Sequence, residues 1–248
     1  MNSMIYFFSP LIMLFALIFN PGTQDVKKSS VCDVQFTKQK PVLDALWDKK
    51  FWEGSEVQTL KNHMGSMPSH FPDTQVKLKY DNNNIYVIFR VKDHYTRAVA
   101  KVTNGRICED SCVELFFTPG ADVSRGYFNL ETNCKGVFLF EYHLKNRTKQ
   151  GFVDLKDAGE IEMSHSLEKN VENEITEPLT WTVEYKIPLS ILSKYMDVDK
   201  PASGVRWRAN FYKCGDKTSH PHWLTWAPVE YPTPNFHLPE FFGWLEFK

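Results

Sequence analysis

The 248-residue chain lacks several things, and each lack narrows what it does. Neither charge is in excess: 29 Lys and Arg stand against 30 Asp and Glu, and no basic stripe runs along it. That balance argues against a nucleic-acid partner. There is no Gly-x-Ser-x-Gly elbow, no phosphate loop and no Cys–His nucleophile pattern. Cys-x-x-Cys is absent, as is any zinc-type Cys/His spacing, which argues against a structural zinc site. Repeats, linkers and low-complexity blocks are missing too, so a second domain is not expected. Cysteine is scarce and odd in number: Cys32, Cys108, Cys112, Cys134 and Cys214 leave at least one thiol unpaired within a monomer. Cys108 and Cys112, four apart, would stand about 13 Å from each other in a strand, beyond disulfide reach, and could pair only across a tight turn.

Only one long apolar run occurs, Met4 to Phe19. It falls short of the roughly 20 apolar residues a spanning helix needs and matches the core of a secretory signal. Asn20-Pro21-Gly22-Thr23 follows it with small and turn-forming residues. Residues 1–24 are therefore expected to be a signal peptide and residues 25–248 a single exported domain, extracellular or periplasmic, with no membrane contact after cleavage. The sequon Asn146-Arg147-Thr148 is a glycan acceptor if the source is eukaryotic.

The rest alternates with a period of two. Val76 to Tyr80 and Ile85 to Lys92, joined by Asp81-Asn82-Asn83-Asn84, read as a β-hairpin. Further strands are expected at Cys112–Thr118, Tyr127–Asn133, Val137–Tyr142, Ile161–Ser166, Trp181–Ile187, Val205–Tyr212, Trp223–Ala227 and Gly243–Phe247. Helix is predicted at Pro188–Tyr195, with a second short one near Leu43–Trp52. The fold class is all-β: an antiparallel β-sandwich with one or two short helices.

Gly204 to Lys248 is the most unusual stretch, with four Trp, three His and five Pro. Proline stiffens loops, and flat rings on stiff loops suit stacking on sugar rings; a buried aromatic core is the other use for them. Trp223 and Trp226, three apart beside Pro221 and Pro228, are the expected stacking rings. In an extended segment they point to opposite faces, so at most one is buried unless a bulge intervenes. Trp181 and Trp207 fall on core positions. Strand alternation puts Asn129 and Glu131 opposite Phe128 and Leu130, and Asn210 opposite Ala209 and Phe211. These polar faces are either plain solvated surface or a hydroxyl-reading surface. Arg106 and Asp110 are loop candidates for the same task, against the plainer readings of a surface ion pair and a turn cap.

Glu114 shares a face with Cys112 and Phe116, and with Asp110 and Glu131 it is a candidate for glycosidase carboxylates or for a buried structural acid. His220, His222 and His237 lack diagnostic spacing for a metal, and Met64, Met67 and Met163 sit in no haem-ligand context.

In order along the chain, Asp44-Ala45-Leu46-Trp47, Asp93-His94, Asp110-Ser111-Cys112-Val113-Glu114-Leu115-Phe116-Phe117 and Tyr127-Phe128-Asn129-Leu130-Glu131-Thr132-Asn133 lead on to Trp181-Thr182-Val183-Glu184-Tyr185-Lys186-Ile187-Pro188. Trp207-Arg208-Ala209-Asn210-Phe211-Tyr212-Lys213-Cys214 and Phe236-His237-Leu238-Pro239-Glu240-Phe241-Phe242-Gly243 complete the series. This series resembles the carbohydrate-binding family 9-like domains of the DOMON-like β-sandwich group, over about Asp33 to Lys248. The resemblance implies a saccharide partner, structural calcium in some relatives, and attachment to xylan-degrading enzymes in others. Here the domain is expected to stand alone, without a fused catalytic domain. A non-catalytic carbohydrate-binding protein is thus expected, with a weakly hydrolytic domain and a protein-interaction module as the alternatives.

Overall fold

The computed structural model describes Met1 and residues 29–144, 148–169 and 171–248. The expected signal peptide, Met1 aside, and Asn146 and Arg147 of the sequon lie outside the described residues.

Among the described residues fourteen strands carry the fold: β1 (Val31–Phe36), β2 (Gln58–Thr59), β3 (Asn62–His63), β4 (Asp73–Tyr80), β5 (Asn84–Asp93), β6 (Cys112–Thr118), β7 (Gly126–Asn133), β8 (Phe138–Leu144), β9 (Lys149–Phe152), β10 (Glu162–His165), β11 (Leu179–Pro188), β12 (Arg206–Cys214), β13 (Trp223–Thr225) and β14 (Gly243–Phe247). Two short helices join them among the described residues, α1 (Leu155–Ala158) and α2 (Leu189–Leu192). The first sheet runs β10-β11-β5-β4-β1, with β2 beside β4. The second runs β1-β14-β12-β6-β7-β8-β9, with β13 on β12 and β3 on β13. Pairing is antiparallel except at β1, which lies parallel to both its neighbours. Val31 to Val34 pair with β14, then Gln35 and Phe36 with β4, so one strand joins the two sheets.

The predicted hairpin is β4–β5. Its turn forms because Asp81 Oδ1 accepts hydrogen bonds from the amides of Asn83 and Asn84 at 2.8 and 2.7 Å. This is the short-range capping that Asp and Asn supply in turns. The sheets pack face to face through alternate residues of each strand. Val87, Phe89 and Val91 of β5 meet Val113, Leu115 and Phe117 of β6 and Phe211 of β12 in one core. Phe89 and Phe211 touch across it edge to face, 6.1 Å between centroids. Trp181 and Trp207 are fully buried there.

Near Leu43–Trp52 only a 3₁₀ turn forms, Lys50–Trp52. The reason is local: the amides of Asp44 and Ala45 bond to the carboxylate of Glu184, at 3.0 and 2.9 Å, not to a helix. Trp47, Phe51 and Trp52 then cover the outer face of the first sheet against Tyr86 and Ile88.

Candidate functional site

The outer face of the second sheet is where chemistry-bearing side chains gather. With Val113, Leu115 and Phe117 turned inward, the strand period sends Cys112, Glu114 and Phe116 outward. The neighbouring strands add Tyr127, Asn129 and Glu131 from β7, and Asn210, Tyr212 and Cys214 from β12. The register sets Cys112 opposite Cys214, and Glu114 between Tyr212 on one side and Glu131 on the other.

The proline-rich segment of residues 228–242 lies over this face. Phe236 stacks on Tyr212 at 4.1 Å and accepts the tyrosine hydroxyl on its carbonyl at 3.2 Å. The side chain of Arg208 fixes the same segment by donating to the carbonyl of Phe242 through Nε at 3.0 Å. A cavity of about 220 Å³ opens between segment and sheet, with Glu114, Glu131, Asp216, Trp223, Asn235 and Phe236 among its walls. A second, about 340 Å³, lined by Tyr127, His143 and Glu240, shares Asn235 and His237 with the first. Together they form a groove across the sheet.

The groove is acidic. Burial, and then the charge of Glu131, pushes Glu114 well above the carboxylate range. Burial, and then Glu141, pushes Glu131 up to about 7. Asp216 is raised by burial as well, although it accepts the indole N–H of Trp223 at 2.8 Å. Farther along, His143 bonds Asn129 Oδ1 at 3.0 Å and stacks on Tyr127 at 4.6 Å. Glu114, Glu131 and Asp216 are thus all shifted in the same direction, above the ordinary carboxylate range.

Of the residues expected at a site, Trp223, Glu131 and Asn129 meet on this face. Trp223 is half-buried at the cavity wall. Trp226 is not available for stacking: it faces the core, packs on Phe211 at 5.0 Å and donates its indole N–H to Gln58 at 2.8 Å. Gly243 makes room for that ring, since a Cβ there would lie 2.7 Å from it. Asn210 is fully engaged structurally, its Oδ1 accepting the amides of Phe211 and Ala227 and its Nδ2 donating to the Ala227 carbonyl. Asp110 is buried and caps a loop through the amides of Val99 and Ala100, with Asn133 Nδ2 at 2.9 Å. Arg106, with its side chain 83% exposed, pairs with Glu109 at 2.9 Å and does not line the groove. The three histidines do not converge: His220 stacks on Tyr95 at 3.6 Å, His222 bonds Lys213, and His237 bonds the Tyr127 hydroxyl.

With this geometry in place, comparison with known proteins is decisive. The sequence model of carbohydrate-binding family 9 matches residues 43–247. The chain belongs to carbohydrate-binding family 9. A solved Bacteroides uniformis protein, described as a candidate carbohydrate-binding protein, superposes with a TM-score of 0.79 at 29% identity, over 89% of this chain and 100% of its own. Two structures of a family 9 module from Caldicellulosiruptor kristjanssonii share the fold at 17% identity. One, with cellotriose, has a TM-score of 0.58 over 88% of this chain and 94% of its own. The other, with glucose, has 0.60 over 88% and 96%. No curated protein matches the chain significantly.

Calcium, which the resemblance implies for some family 9 domains, needs six to eight oxygen ligands. Neither acidic turn in this family 9 chain offers them. Asp110 spends its carboxylate on amides, and Asp81 spends its own on Asn83, Asn84 and the Tyr86 hydroxyl. Sequence reading missed Asp216, Asn235 and Phe236 as site residues. Their signal is position: Asp216 lies two residues beyond the end of β12, and Asn235-Phe236 falls between Pro234 and Pro239 in the loop that covers the face.

Proposed function

We propose that this is an exported, non-catalytic carbohydrate-binding protein that takes a plant or microbial oligo- or polysaccharide along the groove of the second sheet. The observation that carries the reading is Trp223. Within a family 9 domain, its half-buried indole is held by Asp216 at the wall of a cavity whose other sides offer carboxyl, amide and aromatic groups. A pyranose presents an apolar C–H face for the ring and hydroxyls for the polar groups, the mixed lining expected of a small-ligand cleft. The saccharides bound by the Caldicellulosiruptor module support a β-glucan as the first ligand to try.

The test is a glycan array on the purified chain, followed by calorimetry on the leading hits. Trp223→Ala is expected to weaken binding about tenfold or more, a loss of at least about 1.4 kcal/mol, with the near-ultraviolet circular dichroism otherwise unchanged. No glycan hit, together with a defined protein partner in a pull-down, would replace this reading with an interaction module. Release of reducing ends from the bound glycan would replace it with a hydrolase. Export is tested by N-terminal sequencing of the secreted product, with cleavage expected near residues 20–25.

A further inference from the structure

At and beneath the wall of the smaller cavity, which includes Glu114 and Cys214, lies a donor set that stacking of a sugar on Trp223 does not require. Cys112 and Cys214 stand directly opposite each other on neighbouring strands, 102 residues apart in sequence, and both are free thiols. Glu114 lies with them: its Oε1 is 3.1 Å from Cys214 Sγ and 3.8 Å from Cys112 Sγ. One ligand atom from each residue falls within 4.8 Å of the others. Tetrahedral zinc, with bonds of about 2.0–2.3 Å, separates its ligands by roughly 3.3–3.8 Å, so the three donors need little movement to close on one ion.

A second observation points the same way. Glu114 is only 2% exposed, yet its Oε2 has no hydrogen-bond partner. Buried polar atoms are nearly always satisfied, and an orphaned carboxylate oxygen at a cavity wall calls for a missing group. Acids predominate in the cavity wall. Glu131 faces Glu114 across the strands and Asp216 shares the cavity, a repulsion that either protons or a bound cation must relieve.

We propose that Cys112, Cys214 and Glu114 form a binding site for a thiophilic divalent cation of the zinc class, its fourth position open to the cavity beside Cys108 and Glu131. Two sulfur donors select zinc over calcium or magnesium, which prefer all-oxygen sets. The absence of zinc-type spacing in the sequence is no obstacle, because the β6–β12 register brings the ligands together. The ion would neutralise the acidic floor and brace the two strands beneath the groove.

The full chain, purified with reductant and chelator and then dialysed free of both, is titrated with Zn²⁺ alone against a chromophoric chelator, and separately with Co²⁺. One zinc per chain is expected, and cobalt should give thiolate charge-transfer absorption with the strong visible bands of a tetrahedral site. Cys112→Ala and Cys214→Ala should each weaken zinc binding by more than about tenfold, the loss that even outer-shell changes cause. Cys134→Ala, which removes a buried thiol in the core between the sheets, should leave it unchanged. Should the thiol variants fail to fold, Glu114→Gln keeps the shape and carries the same expectation. Binding below one ion per chain, equal loss in Cys134→Ala, or a Cys112–Cys214 disulfide in peptide maps of the secreted protein would each overturn the proposal. No saccharide is present, so this outcome is separate from the glycan result.

Discussion

Trp223 and Trp226 are neighbours in sequence with opposite fates. Residues three apart on an extended chain face opposite ways, and the sheet gives Trp226 to the core and Trp223 to the groove. Replacing Trp226 by Ala should cost about 3–5 kcal/mol in denaturant unfolding, the usual loss for a large aromatic removed from a core, and it also leaves Gln58 Oε1 without its indole donor. Trp223→Ala should leave the denaturant midpoint nearly unchanged while it weakens glycan binding. Similar losses of stability in the two variants would show that Trp223 is also part of the frame. Alternation in the sequence was enough to put Asn129, Glu131 and Asn210 on the outer face. It could not say that Asn210 spends every polar atom on the backbone near Ala227, because hydrogen-bond partners come from a strand and a loop that sequence spacing does not join.

The elements divide by how local their causes are. Strands β4, β5, β6, β7, β12 and β14 were legible because turn residues and period-two patterns lie within each segment. The short strands β2, β3 and β9 were not, since each pairs only at the margin of a sheet and has too few residues for a pattern. The parallel pairing of β1 is likewise invisible in six residues that alternate as any strand does. The segment near Leu43–Trp52 shows why a predicted helix gave way. Glu184, fully buried in β11, accepts the Asp44 and Ala45 amides, the Trp52 indole at 3.0 Å and the Lys49 ammonium at 2.7 Å. One carboxylate thus holds the whole segment over the outer face of the first sheet. Glu184→Ala should destabilise the protein by roughly 3 kcal/mol, because it strands several buried donors at once. Hydrogen exchange should show residues 44–52 opening first. An unchanged exchange pattern there would mean that the aromatic cluster of Trp47, Phe51 and Trp52 holds the segment unaided.

At the scale of the whole molecule, a buried polar chain ties the two sheets together. Lys213 of the second sheet reaches Asp93 of the first at 3.5 Å, and both are almost fully buried. Its ammonium donates to His222 Nε2 at 2.8 Å, while His222 Nδ1 donates to the His220 carbonyl and His70 Nε2 bonds Asp93 at 2.7 Å. Here His222 is an acceptor and must be neutral. Burial, and then the charge of Lys213, hold it down from its ordinary 6.5 to about 3. Asp93 shifts downward too: burial opposes this, but the Lys213 charge and the His70 bond outweigh it. Because the folded pKa of His222 lies below the unfolded one, the unfolded chain binds the extra proton. Its contribution to stability is therefore complete above about pH 6.5 and is lost as pH falls toward 3. At about 1.4 kcal/mol per pKa unit, His222 alone should make the protein about 2 kcal/mol less stable at pH 5 than at pH 7. The raised acids of the groove act in the opposite direction, so the measurement is a comparison between variants. His222→Gln keeps an acceptor for Lys213 but cannot take up a proton. In urea unfolding its loss of stability between pH 7 and pH 5 should be smaller than the parent's by about 2 kcal/mol. Parallel pH profiles for the two proteins would show that His222 does not gate the acid stability of the sandwich.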